Sequence, residues 1–329
     1  MEIREYNGAG VVVSLHADLH TVQMKYRGMT PWPGLFRALG HASIAVAFNV
    51  AIFLMPLGWS WWAIAVMGGF VSASLLVLTH DGLHYTLTGW RGFDDLFSRL
   101  VSYPILWPHC TYAELHRLHH KYNGNDLRDP ERVMASANEM AGAGPWKRFY
   151  RRYQWPIKLF VVGGLGLILH HWFEAFHLRK SHPALNRAMR NDFLGTTAWY
   201  GVAFFALGQA GLLGRWGLVF IVMERIIGFV HQLRSQVEHY GAWSHRNDPL
   251  ETQVFSSRNT RAPWIISQFY NGLNFHSVHH AFPAIPFYKL HDVHVDLDAI
   301  CHAHNQPLLY GEGYLSTARK QFLRPTYIP

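Results

Sequence analysis

The sequence predicts an all-α integral membrane protein: about four transmembrane helices in two hairpins, with a cytoplasmic helical cap carrying three clusters of histidine. Three observations lead there. Of 329 residues, 50% are hydrophobic and only 15% charged, where soluble domains carry about 25% charged residues. Four apolar stretches have about the length that a helix needs to cross hydrocarbon. The polar stretches outside them hold histidines at i, i+3 and i+4, the spacing that gathers side chains on one helical face.

The first hairpin is read in residues 42–57 and 59–78, both free of charge, with Pro56-Leu57-Gly58 leaving room only for a tight turn. The second is read in residues 193–213 and 216–233, joined at Gly214-Arg215. Glu224 and Arg225 interrupt its second arm, and a charge is expensive in lipid. They are expected to face the protein interior or to sit near a helix end. A fifth apolar stretch, 157–173, has basic residues on both sides: Arg148, Arg151, Arg152 and Lys158 before or at its start, Arg179, Lys180, Arg187 and Arg190 after it. Basic flanks favour the cytoplasm. The segment is therefore expected to be re-entrant or interfacial, and both termini and every long loop to be cytoplasmic. Residues 1–329 are read as one membrane-embedded domain.

The same arrangement accounts for the formal charge of +8. Basic residues flank the apolar segments instead of forming an aromatic-interleaved patch, so nucleic acid is excluded as a partner. The low charge excludes an ordinary cytosolic enzyme, and 15% aromatic content with 13 Trp excludes a disordered chain and suits a membrane–water boundary. Cys110 and Cys301 are the only cysteines, too few for a disulfide framework or a thiolate metal cluster. Residues 1–27 are polar and mixed, without the apolar centre of a secretory signal.

Histidine makes up 23 residues. His80 and His84 follow the second apolar stretch at i, i+4. His116, His119 and His120 form one H-x-x-H-H cluster and His276, His279 and His280 another, while His239 ends Gln236-Val237-Glu238-His239. Imidazole is a common ligand for zinc, copper, iron and nickel. Nine candidate ligands exceed what one ion can use, so a pair of ions is the natural count. His170 and His171 lack this context, and His231 lies closer to it, eight residues before His239. Ligating imidazoles usually give their second ring N–H to a carboxylate, and Asp81, Glu114, Asp126, Asp129 and Glu238 are near enough in sequence to receive it. Asn274 is a further candidate. Pro283 and Pro286 are expected to end the helix carrying the third cluster.

The chain resembles the membrane fatty acid desaturase and hydroxylase superfamily. After its second cluster it continues KYNGNDLRDPE, and around the third it reads NGLNFHSVHHAFPAIPFYKL; RSQVEHYG and SSRNTRAP are similar to two further elements of that family. The likeness covers residues from about 75 to 295. It implies a non-haem di-iron centre on the cytoplasmic side that uses dioxygen and two electrons to oxidise an unactivated C–H bond. It assigns the iron ligands to His80, His84, His116, His119, His120, His239, His276, His279 and His280, with no other catalytic residue. Desaturation of a fatty acyl chain is the expected reaction. Hydroxylation or ketone formation on a lipid or carotenoid is the alternative, because the clusters do not separate these outcomes.

No haem-binding His-Pro-Gly-Gly, cysteine set or G-x-G-x-x-G occurs. Electrons are therefore expected from a separate donor, a ferredoxin or a b-type cytochrome with its reductase. A membrane metal transporter is the rival from another class, but transporters hold ions near the bilayer midplane, whereas these clusters lie at or beyond the ends of apolar stretches. A zinc hydrolase would need three protein ligands, and H-E-x-x-H is absent.

Overall fold

The computed structural model describes residues 14–329; residues 1–13, the first part of the polar stretch 1–27 in which no secretory signal was expected, lie outside the described residues. The helices in chain order are α1 (Leu15–Lys25), α2 (Pro31–Leu54), α3 (Trp59–Leu83), α4 (Arg91–Ser102), α5 (His109–Tyr122), α6 (Ala137–Ala141), α7 (Pro145–Pro156) and α8 (Gly163–Leu178). They continue with α9 (Ala184–Gln209), α10 (Leu213–His239), α11 (Pro249–Phe255), α12 (Trp264–Phe269), α13 (His276–Ala281), α14 (Leu290–Ala303) and α15 (Tyr314–Leu323). A short parallel pair, β1 (Asn259–Thr260) and β2 (Tyr310–Gly311), sets Asn259 opposite Tyr310.

Every long helix outruns the apolar stretch from which it was read. α2 begins at Pro31 and not at 42, with prolines in its first turn where their missing N–H costs nothing. Hydropathy misses that first part because Arg37 and His41 lie in it. The Arg37 guanidinium donates to the Gln268 carbonyl, so a protein acceptor replaces water. α3 runs on to Leu83 and carries the first histidine cluster out on its last turn. α2, α3 and the stretch Pro145–Leu178 are long and apolar enough to cross a membrane. α9 and α10 are as long, but each bears several charges.

α3 packs against α2 on one side and α10 on the other. The α2–α3 and α9–α10 connections meet: Arg215, at the start of α10, donates to the carbonyls of Phe53 (3.0 Å) and Met55 at the end of α2. α3 and α10 leave this common end together and reach the other end of the molecule with His80 and His84, and with His239. Outward faces of α2 and α3 stay apolar and exposed, as at Val46, Leu54 and Trp59, which is the surface a lipid environment covers.

The 157–173 stretch is not one regular helix. A π-helical turn over Ile157–Val162 leads to Gly163, whose φ of 60° lies in the left-handed region, and α8 starts there. α8 then presses on α10 so closely that a Cβ on Gly228 would sit 2.0 Å from the Gly164 nitrogen. Glu224 turns inward, as expected of a charge in this position, and its Oε1 accepts the Leu165 N–H at 2.5 Å. It thereby satisfies a free donor in the first turn of α8. Arg225 pairs with Glu224 and donates to the Val161 carbonyl at 2.9 Å.

Two buried contacts aim α5 and α13. Pro108 offers no side-chain cap to α5, and Asp192 of α9 supplies one, accepting from the backbone N–H of Cys110 (3.0 Å) and Thr111 (2.7 Å). Asn259 of β1 accepts from both the N–H and the hydroxyl of Ser277 (3.0 and 2.9 Å), which fixes α13 against the strand pair. α13 ends at Ala281, just before Pro283, as the prolines require.

Candidate metal centre

The second and third histidine clusters share a sequence pattern, and each divides its rings between two groups. His80, His84, His116 and His279 bring ring nitrogens within 4.8 Å of one another. His120 joins them, its Nε2 lying 3.1 Å from the Nε2 of His116 and 3.1 Å from that of His279. The other group is His119, His239 and His280, again within 4.8 Å. His276 joins this one, with its Nε2 2.8 Å from His239 Nε2 and 3.1 Å from His280 Nε2. Two positions of each H-x-x-H-H thus serve one group and the remaining position crosses to the other. All nine sequence-selected histidines are in one place, five in one group and four in the second.

These separations fit a cation between the rings. Metal–nitrogen bonds of about 2.0–2.1 Å place adjacent ligand nitrogens about 3 Å apart, as seen for His80 and His116 at 3.0 Å. Where a carboxylate or amide oxygen accepts from Nδ1–H, Nε2 carries a lone pair, and such lone pairs repel unless a cation lies among them. His84 Nε2 and His119 Nε2 are buried without a hydrogen-bond partner, an expensive state for a polar atom. The backbone adds to this. His80, His119, His120, His239, His279 and His280 all stand in the last turns of their helices. Four helices therefore point the negative ends of their dipoles at the same place, where positive charge is favoured.

The ring orientation is set by neighbours, some visible in sequence and some not. Asp129 Oδ1 lies 2.8 Å from His119 Nδ1, and Glu238 Oε2 3.3 Å from His276 Nδ1. Glu131 holds His116 Nδ1 at 2.7 Å, and Gln253 Oε1 holds His280 Nδ1 at 3.0 Å. Sequence reasoning missed the last two. The signal for Glu131 was in the KYNGNDLRDPE continuation, two residues past Asp129; Gln253 had none. The other candidates work elsewhere. Asp81 accepts from Asn271, Glu114 and Asp126 pair with Arg117 and Arg128, and Asn274 Oδ1 accepts from Ser267 at 2.7 Å. His170, His171 and His231 bond to the carbonyls of Pro130, Leu167 and Ala73, and none enters either group.

Burial, reinforced by the neighbouring imidazoles, holds His116, His120, His276, His279 and His280 well below the usual histidine range. They are neutral and ready to ligate. His119 differs: burial pulls it down, but the carboxylates of Asp129 and Glu131 outweigh burial and push it up to about 9. Burial raises Glu131 to about 7.

The chain matches the family described as fatty acid desaturase over residues 23–311. Among curated proteins it is 26% identical to a dihydrorhizobitoxine desaturase of Bradyrhizobium elkanii, over 70% of this chain and 67% of that one. It is 24% identical to an sn-1 acyl-lipid omega-3 desaturase (ferredoxin) of Nostoc sp. (strain 36), over 75% and 69%. A ceramide hydroxylase of Caulobacter vibrioides (strain NA1000 / CB15N) is 22% identical over 90% of this chain and 87% of its own. With histidine clusters that could bind metal and a family match over most of its length, the chain belongs to the fatty acid desaturase family.

Proposed function

We propose that the protein is a membrane di-iron oxidase that desaturates a fatty acyl chain. The observation that carries this reading is the pair of neighbouring imidazole groups. His80, His84, His116, His120 and His279 would hold one iron, and His119, His239, His276 and His280 the other. When bound, the iron pair supplies dioxygen-dependent, two-electron oxidation of a C–H bond that no side chain alone can break. The protein's own part is positional. Glu131, Asp129 and Gln253 accept a hydrogen bond from the Nδ1–H of His116, His119 and His280, which keeps the proton on Nδ1 and leaves the Nε2 lone pair free to ligate. The Arg234 Nε lies 3.5 Å from Glu238, whose carboxylate stays beside His276 and is further tied by the Tyr314 hydroxyl at 3.1 Å.

Hydroxylation is the second reading, favoured by likeness to the ceramide hydroxylase along nearly the whole chain. Electrons would come from a separate ferredoxin or b-type cytochrome; the ferredoxin-linked desaturase among the relatives favours the first. We place the hairpins α2–α3 and α9–α10 across the membrane, tips outward, and the histidine centre and both termini in the cytoplasm. In this arrangement 157–173 enters from the cytoplasmic side without crossing, and residues 1–329 form one domain. The joined tips at Arg215 and the histidines at the opposite helix ends support it.

Lipid profiling by mass spectrometry, in a host supplied with ferredoxin and its reductase, tests the reaction against a His279→Ala control. A histidine-dependent product lighter by two hydrogen atoms establishes desaturation. One heavier by an oxygen atom establishes hydroxylation. A lipid profile identical to that of His279→Ala contradicts both.

A further inference from the structure

A cavity of about 360 Å³ lies between α3, α8 and α10 and reaches the metal centre, with His80 and Glu131 in its wall. That is the small end of the range for small-molecule sites, about 300–1,000 Å³. Leu76, Val77 and Leu167 give it an apolar side. The rest of the wall is unlike a hydrocarbon channel. Lys158 and Arg151 line it, and among the described residues neither has a carboxylate partner, whereas Arg132, also in the wall, is tied to Glu139 at 2.8 Å. Lys158 stands at the start of an apolar segment and is half-buried. An uncompensated charge there is costly and marks a place where a counter-charge binds. The hydroxyl-bearing Tyr112 and Tyr150 and a second carboxylate, Glu174, also belong to the polar part.

We propose that this cavity takes a compact acid: a substrate whose anionic oxygen group binds Lys158 and Arg151 inside the same small space in which its reacting carbon faces the histidine centre. The inference rests on the oxidase reading above and narrows its substrate. The oxidised carbon then lies only a few bonds from the anionic group, in contrast to a mid-chain methylene of a membrane lipid. Glu174 sets a further condition, since an acid with a second negative charge on that side is disfavoured. Lipid phosphate presents the same oxygen chemistry, so the test separates it from a free carboxylate.

Calorimetric titration of the purified full chain in detergent answers this without turnover. The probes are octanoate, octanamide of equal length and no charge, and dihexanoyl phosphatidic acid. Octanoate is expected to bind about tenfold more tightly than octanamide, the worth of one charge-assisted contact. Lys158→Met removes that preference and Lys158→Arg retains it, which also controls for folding. His279→Ala keeps octanoate binding while losing oxidation of the acid, so failure of the oxidase reading shows separately, in the oxidised products. Equal affinity for acid and amide, no binding of either, or an unchanged preference in Lys158→Met overturns the proposal. Preference for the phosphatidic acid over octanoate assigns the cations to a membrane lipid head and overturns the compact substrate.

Discussion

The Nε2 atoms of His120 and His279 lie 3.1 Å apart although 159 residues separate them in the chain. They come from different clusters, α5 and α13, and they meet because α5 is aimed by Asp192 and α13 by Asn259. Immediately beside them His119 and His280 face the other way, into the second group. The centre is therefore an interleaving of two short helices, closed by His80 and His84 from α3 and by His239 from α10.

That interleaving divides the histidines by consequence. His120→Ala and His279→Ala are expected to abolish the lipid product with normal membrane insertion. His170→Ala, which loses only a bond to the Pro130 carbonyl, is expected to keep most of it. Product yield normalised to membrane-bound protein checks this; equal loss in His170→Ala would place that ring among the ligands.

Glu131 and Asp129 act through the rings they hold. Glu131→Gln and Asp129→Asn should each weaken metal binding by about 10- to 100-fold, the usual effect of removing a ligand's outer partner. Competition with a chelator measures it. Asp126→Asn, whose carboxylate only meets Arg128 on the surface, should leave the affinity unchanged.

The raised His119 gives a pH signature. In metal-free protein its folded pKa of about 9 exceeds the ordinary histidine value of 6.5, so protonation favours the fold. This stabilisation is full below pH 6.5 and is lost as pH rises through 9. Thermal unfolding of metal-free protein should fall across that window, and Asp129→Asn should flatten the fall. Metal binding has the opposite slope. His119 must shed a proton to ligate, so apparent affinity rises up to about tenfold per pH unit until pH reaches about 9.

The proposed topology places residues 57 and 209 outside the cell membrane and residues 181 and 316 inside. With Cys110 and Cys301 changed to Ser, single cysteines Leu57→Cys and Gln209→Cys should react with an impermeant maleimide on intact cells. Ser181→Cys and Ser316→Cys should react only after lysis. Labelling of Ser181→Cys from outside would make the 157–173 segment a full crossing.

Much of this was legible in the sequence, for identifiable reasons. The clusters were, because i, i+3, i+4 spacing survives any helix they sit on; the turn at Pro56-Gly58 and the inward Glu224 were, because charge and proline obey local rules. The helix ends were not, since Arg37 and Asp192 are satisfied by distant backbone groups that hydropathy does not see. Nor was the division of each H-x-x-H-H between two groups, because spacing sets the helical face but the packing of α5 against α13 sets which ring turns which way. Gln253 reaches His280 from α11 by tertiary packing alone, and no periodic pattern announces it.

The most direct test of the central claim is the metal content of the purified wild-type chain by elemental mass spectrometry, with iron and zinc summed because zinc binds imidazole more tightly than ferrous iron. The two-group centre predicts two ions per chain, falling to one or fewer in His239→Ala, which opens only the four-histidine group. A single ion in the wild type, unchanged by His239→Ala, would contradict it.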